Sequence, residues 1–343
     1  VRDDDIVAAA QEERFTRKKA DPRFPQKAIN YCLEEGFVDP SELDAVVFYD
    51  NPMLTFDRIT KNALDVAPSG RSQFVAACRS VLGTRADLES QLESCLGMVP
   101  PLLVTPHHMS HAASAFYPSP FERAALLTID GVGEWATCTL GVGNEHGIEL
   151  IEELRYPHSL GLLYSAFTAY CGFKVNSGEY KLMGLAPYGR PRYASLIKEQ
   201  LIDIKDDGSF RLNTEAFGFL DTGIMTNARF EELFGGPPRT AESMITRRDM
   251  DLAASVQAVA EEVVLKLVAH VIELTGERSL AMAGGVALNC VANGRVLRES
   301  GVDALFVQPA AGDAGGALGA ALLVAHEVHG TPRTVRPGRD SLK

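Results

Sequence analysis

Thr105-Pro106-His107-His108-Met109-Ser110-His111 is the segment of this sequence best equipped for chemistry. Thr105 suits a helix N-cap and Pro106 a first helical position, so a helix is expected to begin here. His107 and His111 then stand four apart on one helical face, which is the spacing of two ligands to one metal ion. The positive end of the helix dipole is expected to lower the imidazole pKa and favour the neutral, metal-binding form. The zinc-protease pattern HExxH is not met, because His108 stands where its glutamate is required. A helix start with incidental histidines explains the same residues, and spacing alone leaves both readings open.

A third ligand is offered by Asp313 in Gly312-Asp313-Ala314-Gly315-Gly316, after a strand and before a glycine-rich helix start. Ligands of open α/β sheets bind at such strand ends. Alone, this segment reads first as a plain N-cap with glycines for the turn. With both histidines it makes a two-His, one-carboxylate site suited to Fe(II) or Zn and open to substrate.

Two glycine loops come next. In Ile129-Asp130-Gly131-Val132-Gly133-Glu134 the glycines let backbone N–H groups approach an anion, and Asp130 could organise a metal or a hydroxyl. Ala283-Gly284-Gly285-Val286-Ala287-Leu288-Asn289 reads as strand, turn and helix start, a cradle for phosphate or a nucleotide. A hairpin turn and a tight βα corner explain each loop almost as well. As a pair they resemble the phosphate loops of actin-like ATPases and sugar kinases, and this turn is expected to work independently of the histidine pair. Ser177–Gly189 reads as a loop with one helical turn, in which Glu179 and Lys181 line a pocket or simply face solvent. Arg14, Arg17, Lys18 and Lys19 form a solvated basic face or collect a phosphate or carbamoyl oxygen.

These residues must be positioned by a chain of 343 residues, a length that favours two domains. Hydrophobic residues make up 46%, enough for a sizeable core, and the net charge of −12 argues against broad nucleic-acid binding. No apolar run reaches the roughly 18 residues of a membrane span, and no secretory signal is visible. The six cysteines are scattered without a CxxC pair, which fits reduced thiols and a cytoplasmic location.

The run Ile6–Ala10 reads as a strand, and a helix is expected from Phe24-Pro25 through Phe37. Asp44–Asp50 reads as a buried strand, helical patterns cover Leu54–Leu96, and a short strand follows at Leu102–Val104. From Arg123 the character changes. Ala124–Ile129, Ala136–Val142 and Ile148–Arg155 form a meander, followed by a long helix over Met250–Leu274. Strand Leu280–Ala283, helix Leu288–Ser300, strand Ala304–Val307 and the helical run Gly315–His329 complete the pattern. The first residue is not Met, and Pro332–Lys343 is polar with two prolines, so a piece of a longer protein is expected.

Gln11–Lys19, His107–Phe116, Asp130–Thr137, Ser177–Gly189, Gly284–Val296 and Gly312–Leu318, taken in order, resemble the NodU/CmcH carbamoyltransferase family. The part resembled is the family's N-terminal domain, similar to the catalytic protein of tRNA threonylcarbamoyladenosine synthesis. The resemblance implies a two-lobed actin-like ATPase fold, with mixed sheets flanked by helices and truncated at its N-terminal strand. Residues 1–122 would form a first α/β lobe, incomplete at its start and carrying the histidine pair. Residues 123–332 would form a second lobe with the nucleotide loops, and 333–343 a linker to a YrdC-like C-terminal domain. The function implied is transfer of a carbamoyl group to a hydroxyl of a sugar, antibiotic or nodulation factor. The donor is carbamoyl adenylate, made from carbamoyl phosphate and ATP in the YrdC-like domain.

Carried over by motif, His107, His111 and Asp313 match the metal ligands, with Fe(II) or Zn as the ion and Mg accompanying ATP. Asp130, Gly131, Gly133, Glu179, Lys181, Gly284, Gly285 and Asn289 fall in the nucleotide-facing blocks. Lys18 or Lys19 falls in the block holding the group derived from carbamoyl phosphate, and His108 is a general-base candidate by proximity alone. Homodimerisation is compatible with this picture. Two departures stand out: the strand and His-Asp-Ser segment expected before Val1 are absent, and Ala20 replaces the usual His. A sugar or acid kinase on the same fold would use Mg between carboxylates and need neither His107 nor His111. A nucleotide-switched binding protein would need no transition metal, and the acidic charge disfavours tRNA modification.

Overall fold

The computed structural model describes residues 1–81, 87–335, 340 and 342. The chain starts with α1 (Glu12–Thr16), α2 (Gln26–Gly36) and β1 (Val46–Phe48). Helices α3 (Pro52–Asp65), α4 (Arg71–Ser80) and α5 (Leu88–Leu96) lead to β2 (Leu102–Val104) and α6 (His107–Phe116). The meander is β3 (Ala124–Ile129), β4 (Ala136–Asn144) and β5 (Gly147–Arg155), followed by α7 (Leu160–Tyr170), α8 (Glu179–Leu185) and α9 (Ala194–Gln200). After the hairpin β6 (Ile202–Ile204) and β7 (Phe210–Leu212) come α10 (Ala228–Phe234) and α11 (Arg247–Thr275). The last elements are β8 (Ser279–Ala283), α12 (Cys290–Glu299), β9 (Ala304–Val307) and α13 (Gly316–Leu323).

Five strands form a mixed sheet in the order β5-β4-β3-β8-β9. The meander is antiparallel, whereas β8 and β9 run parallel to β3. Strand β3 lies inside the sheet and every residue of it is buried, as a continuous apolar run requires. Its side chains alternate between two cores. Ala125, Leu127 and Ile129 pack with α7 and α11, among Leu163, Phe167, Val256 and Val263. Ala124 and Leu126 point the other way, to Ala112, Ala113 and Phe116 of α6 and Leu322 of α13.

Helices α6 and α13 are packed against one another; α6 also packs on β3 and β8, and α13 on β1 of the small parallel pair β1-β2. The contact is close because glycine allows it. A Cβ on Gly319 would lie 1.8 Å from the Ser110 carbonyl oxygen, and one on Gly316 2.6 Å from the Tyr49 ring. The architecture is the mixed α/β one that the sequence led us to expect, a mixed sheet flanked by helices.

Several local expectations need correction. Ile6–Ala10 forms no strand, and only Val46–Phe48 of Asp44–Asp50 is one, half-buried rather than buried. Ser177–Gly189 carries the helix α8 and a 3-10 turn rather than a single turn. Helix α6, before residue 122, and α13, after it, share one layer. The segment expected as a linker begins packed: the Arg333 guanidinium donates to the carbonyls of Phe116, Tyr117, Ser119 and Phe121 at the end of α6. Residues 336–339, 341 and 343 of that segment lie outside the described residues. Among the described residues no helix is long and apolar enough to cross a membrane.

Replacing Gly319 with Val forces α13 away from α6. We expect a loss of at least about 1–3 kcal/mol of stability, read as a lower midpoint in urea, the range for overpacking a close contact.

Candidate metal centre

Helix α6 starts at His107, with Pro106 in the N-cap position at φ −60° and ψ 140°. Thr105 therefore stands one residue too early to cap, and its hydroxyl instead meets Ser110 Oγ at 2.7 Å and the Phe48 carbonyl at 3.3 Å. The free amide is served from elsewhere. Both carboxylate oxygens of Glu134 accept the His107 N–H, at 2.9 and 3.1 Å. Glu134 was not among the residues singled out for a role. The only local signal was its place at the end of the Asp130 loop, and its partner is 27 residues away.

The spacing of His107 and His111 does place both rings on one face, with centroids 4.6 Å apart. Each Nε2 lies 3.1 Å from Asp130 Oδ2. Asp313, in the turn before α13, brings Oδ1 to 3.5 Å from His107 Nε2 and 3.7 Å from His111 Nε2. The four donor atoms all lie within 4.8 Å of one another. Asp130, expected to face the nucleotide, thus joins the candidate metal cluster of His107, His111 and Asp313. The histidines are buried while the Asp313 side chain is 60% exposed, so the cluster opens on that side.

Asp130 also reaches the second glycine loop. Its Oδ1 accepts the Gly131 N–H at 2.7 Å and the Gly285 N–H at 3.1 Å. Gly284 holds φ +95°, and a Cβ there would meet the Ile129 carbonyl oxygen at 2.2 Å, so glycine is required. A Cβ on Gly285 would lie 2.7 Å from Asp130 Oδ1. The glycine turn and the histidine pair, expected to be independent, therefore share one carboxylate.

The remaining residues divide. A Cβ on Gly133 would press on the His107 and His108 side chains at 2.9 to 3.0 Å, so this glycine seats the loop on α6. Asn289 caps α12 through Ala292 N–H and exchanges hydrogen bonds with Gln257, which leaves its side chain inside the protein. The Glu179 carboxylate accepts from Ser165 Oγ and from the amides of Asn176 and Gly178, holding its own loop. Lys18, Lys19 and Lys181 are exposed, and Lys19 Nζ sits 4.9 Å from the Tyr180 ring centre, joining the basic block to α8.

His108 does not fit the general-base role. It is buried, its Nδ1 lies 2.6 Å from Thr128 Oγ1, and burial together with His107 and His111 pushes its pKa down to about 3. For His111 burial also acts downward, but the Asp130 and Asp313 carboxylates outweigh it and push the pKa up to about 9. The expectation of a neutral imidazole from the helix dipole fails at His111 for that reason. Burial works against the Asp130 carboxylate as well, yet the two imidazoles hold it well below the usual range. Burial raises the Glu134 carboxyl.

Two imidazole nitrogens and two carboxylate oxygens are a donor set for Zn or Fe(II) rather than Mg, which takes oxygen ligands. Nitrogen–oxygen separations of 3.1 to 3.7 Å are also those between neighbouring ligands around one ion at bond lengths of roughly 2.1 Å. The residues present fit such an ion.

The model of the family described as carbamoyltransferase N-terminus matches residues 1–322. The chain belongs to the carbamoyltransferase family. Similar to this carbamoyltransferase domain are the uncharacterized protein sll1178 of Synechocystis sp. and nodulation protein NolNO of Sinorhizobium fredii. The first is 54% identical over 98% of this chain and 56% of that protein. The second is 36% identical over 96% of this chain and 46% of that protein. The chain thus spans about half the length of the curated relatives it matches. A solved structure of HypF from T. kodakarensis aligns over 76% of the chain and 44% of its own, with 14% identity and a TM-score of 0.38.

Charge pairing at His111 has a consequence for the metal-free carbamoyltransferase domain. A raised folded-state pKa gives stability that is fully present below the unfolded value of about 6.5. That contribution is lost as pH rises through about 9. Urea midpoints in the presence of chelator should fall across this window, and His111→Gln should remove that part of the dependence.

Proposed function

We propose that this domain transfers a carbamoyl group from carbamoyl adenylate to the hydroxyl of a small acceptor such as a sugar, an antibiotic or a nodulation-factor-like molecule. The observation that carries the reading is Asp130, with one oxygen on the histidine pair and the other on the Gly285 amide. A cluster built for a metal and a turn built for a nucleotide's phosphates then form one site. This suits a substrate in which the reacting carbonyl is attached directly to AMP.

In the proposed step the acceptor oxygen bonds to the carbamoyl carbon. The bond from that carbon to the phosphate oxygen breaks, AMP leaves with the electron pair, and water takes the hydroxyl proton on the open Asp313 side. An ion of Fe(II) or Zn held by His107, His111, Asp130 and Asp313 would polarise the carbamoyl oxygen as a Lewis acid. The Gly284-Gly285 turn, bare of side chains, lets the phosphate lie close to its backbone. Asn289 holds this turn against α11 through Gln257. Lys18, Lys19 and Lys181 supply a positive rim for anionic substrate. Glu179 fixes the start of α8, which carries Lys181.

Carbamoyl adenylate would come from carbamoyl phosphate and ATP, with Mg on the ATP phosphates, in a YrdC-like domain joined C-terminally. The two buried imidazoles weigh against a kinase, which needs only carboxylate-held Mg. The net charge of −12 weighs against a tRNA substrate.

Elemental analysis of the full-length protein tests the metal. His107→Ala and His111→Ala should each remove the bound ion and carbamoyl transfer, while His108→Ala should keep the ion. Stoichiometric metal in either of the first two variants would overturn the assignment. The 343-residue chain alone should bind AMP but release no pyrophosphate from ATP and carbamoyl phosphate. Robust release would locate the activation chemistry in this domain instead.

A further inference from the structure

Glu134 is buried and contributes no atom to the four-donor cluster. Its carboxylate is directed at backbone amides instead. Besides the His107 N–H, Oε1 accepts the Asn51 N–H at 2.8 Å, immediately before α3. One side chain thus ties the start of α6, the start of α3 and the loop that carries Asp130. The loop is fastened on both sides of it. Asp130 is held by Gly285, the Glu134 carbonyl accepts from Arg58 Nε, and Trp135 Nε1 donates to Asp57 Oδ2 at 3.2 Å, both partners on α3. The loop backbone lies so close to α6 that Gly133 cannot carry a side chain.

We propose that Glu134 is a positioning residue of the metal site, fixing His107 at the start of α6 against Asp130 at the end of β3. His107 is the first residue of α6, where the chain would fray without a cap, and Pro106 has no side chain able to provide one. The Glu134 carboxylate fixes the backbone of that ligand directly. Only three residues of the same tight loop lie between Asp130 and Glu134, so the two ligands are set against each other by one short covalent span. A charged acceptor strengthens both hydrogen bonds, but the geometry needs only an oxygen at the right reach. This inference rests on the metal reading above, and the test separates the two.

The 343-residue chain is stripped of metal and titrated with Co(II), whose visible spectrum reports ligand geometry, and with Zn(II) by calorimetry. Glu134→Gln keeps an oxygen for both amides and should stay within about threefold of wild-type affinity with an unchanged spectrum. Glu134→Asp keeps the charge but withdraws the oxygens by one methylene, and should lose about tenfold. Glu134→Ala should lose ten- to hundredfold, the usual cost of removing a group that orients a ligand, with an altered Co(II) spectrum. Phe230→Leu, in the core beside α7, should lower the melting temperature and leave affinity and spectrum unchanged. If Glu134→Ala does not fold, the Gln and Asp variants decide alone. Wild-type binding by Glu134→Asp or Glu134→Ala, or a Gln variant as weak as wild type is strong, overturns the positioning role while the metal reading stands. A wild-type chain that binds neither ion overturns both.

Discussion

A half-buried carboxylate with both oxygens engaged is the constraint around which this site is organised. Asp130 leaves water at the end of β3, and such a charge is tolerated only if partners replace its hydration. Four donors do so: the imidazoles of His107 and His111, and the amides of Gly131 and Gly285. Each comes with an element attached. Helix α6, the β3–β4 turn and the turn after β8 must converge on one point, and several glycines follow from that. A Cβ on Gly285 would crowd the carboxylate, and one on Gly161 at the start of α7 would lie 2.6 Å from the Asp130 carbonyl oxygen.

The sheet delivers Asp130 there through its alternation. Successive residues of β3 enter opposite cores, so the strand is gripped from both faces. Its neighbour β8 follows the same rule, with Leu280 and Met282 on one side and Ala281 and Ala283 on the other. The small residues face α6, which lets the helix lie close to the strand ends. That closeness is what brings the histidines, on the first turns of α6, within hydrogen-bond distance of the carboxylate at the end of β3. Gly319 extends the same logic to α13, whose preceding turn carries Asp313.

Local periodicity made much of this legible. The meander, β9, the long helix and the shared face of His107 and His111 all depend on residues within a few positions of one another. So does the choice of Asp313, a carboxylate between a strand and a helix start. What escaped were pairings across the chain: Asp130 with His111 at 19 residues, Glu134 with Asn51 at 83, and Gly285 with Asp130 at 155. Thr105 shows the cost of a local rule applied alone. It has the chemistry of an N-cap, but Pro106 takes the position and a distant carboxylate takes the function. Ile6–Ala10 shows the same for strands, because apolar character specifies burial and not a pairing partner.

Electrostatics gives a cluster of this composition an affinity for positive charge. Two carboxylates within 4.8 Å, one of them half-buried, repel unless positive charge stands between them. In the protein alone that charge is a proton on His111, held there up to about pH 9 by the same two carboxylates. A divalent ion among these donors would carry more charge and displace that proton, since an imidazole binds metal only when neutral. Uptake of metal and release of a proton are then one event. Because the same carboxylate also receives the Gly285 amide, a change of charge at the cluster alters the pull on the glycine turn. In this arrangement the glycine turn and the histidine cluster are electrostatically linked, because one carboxylate, Asp130, serves both.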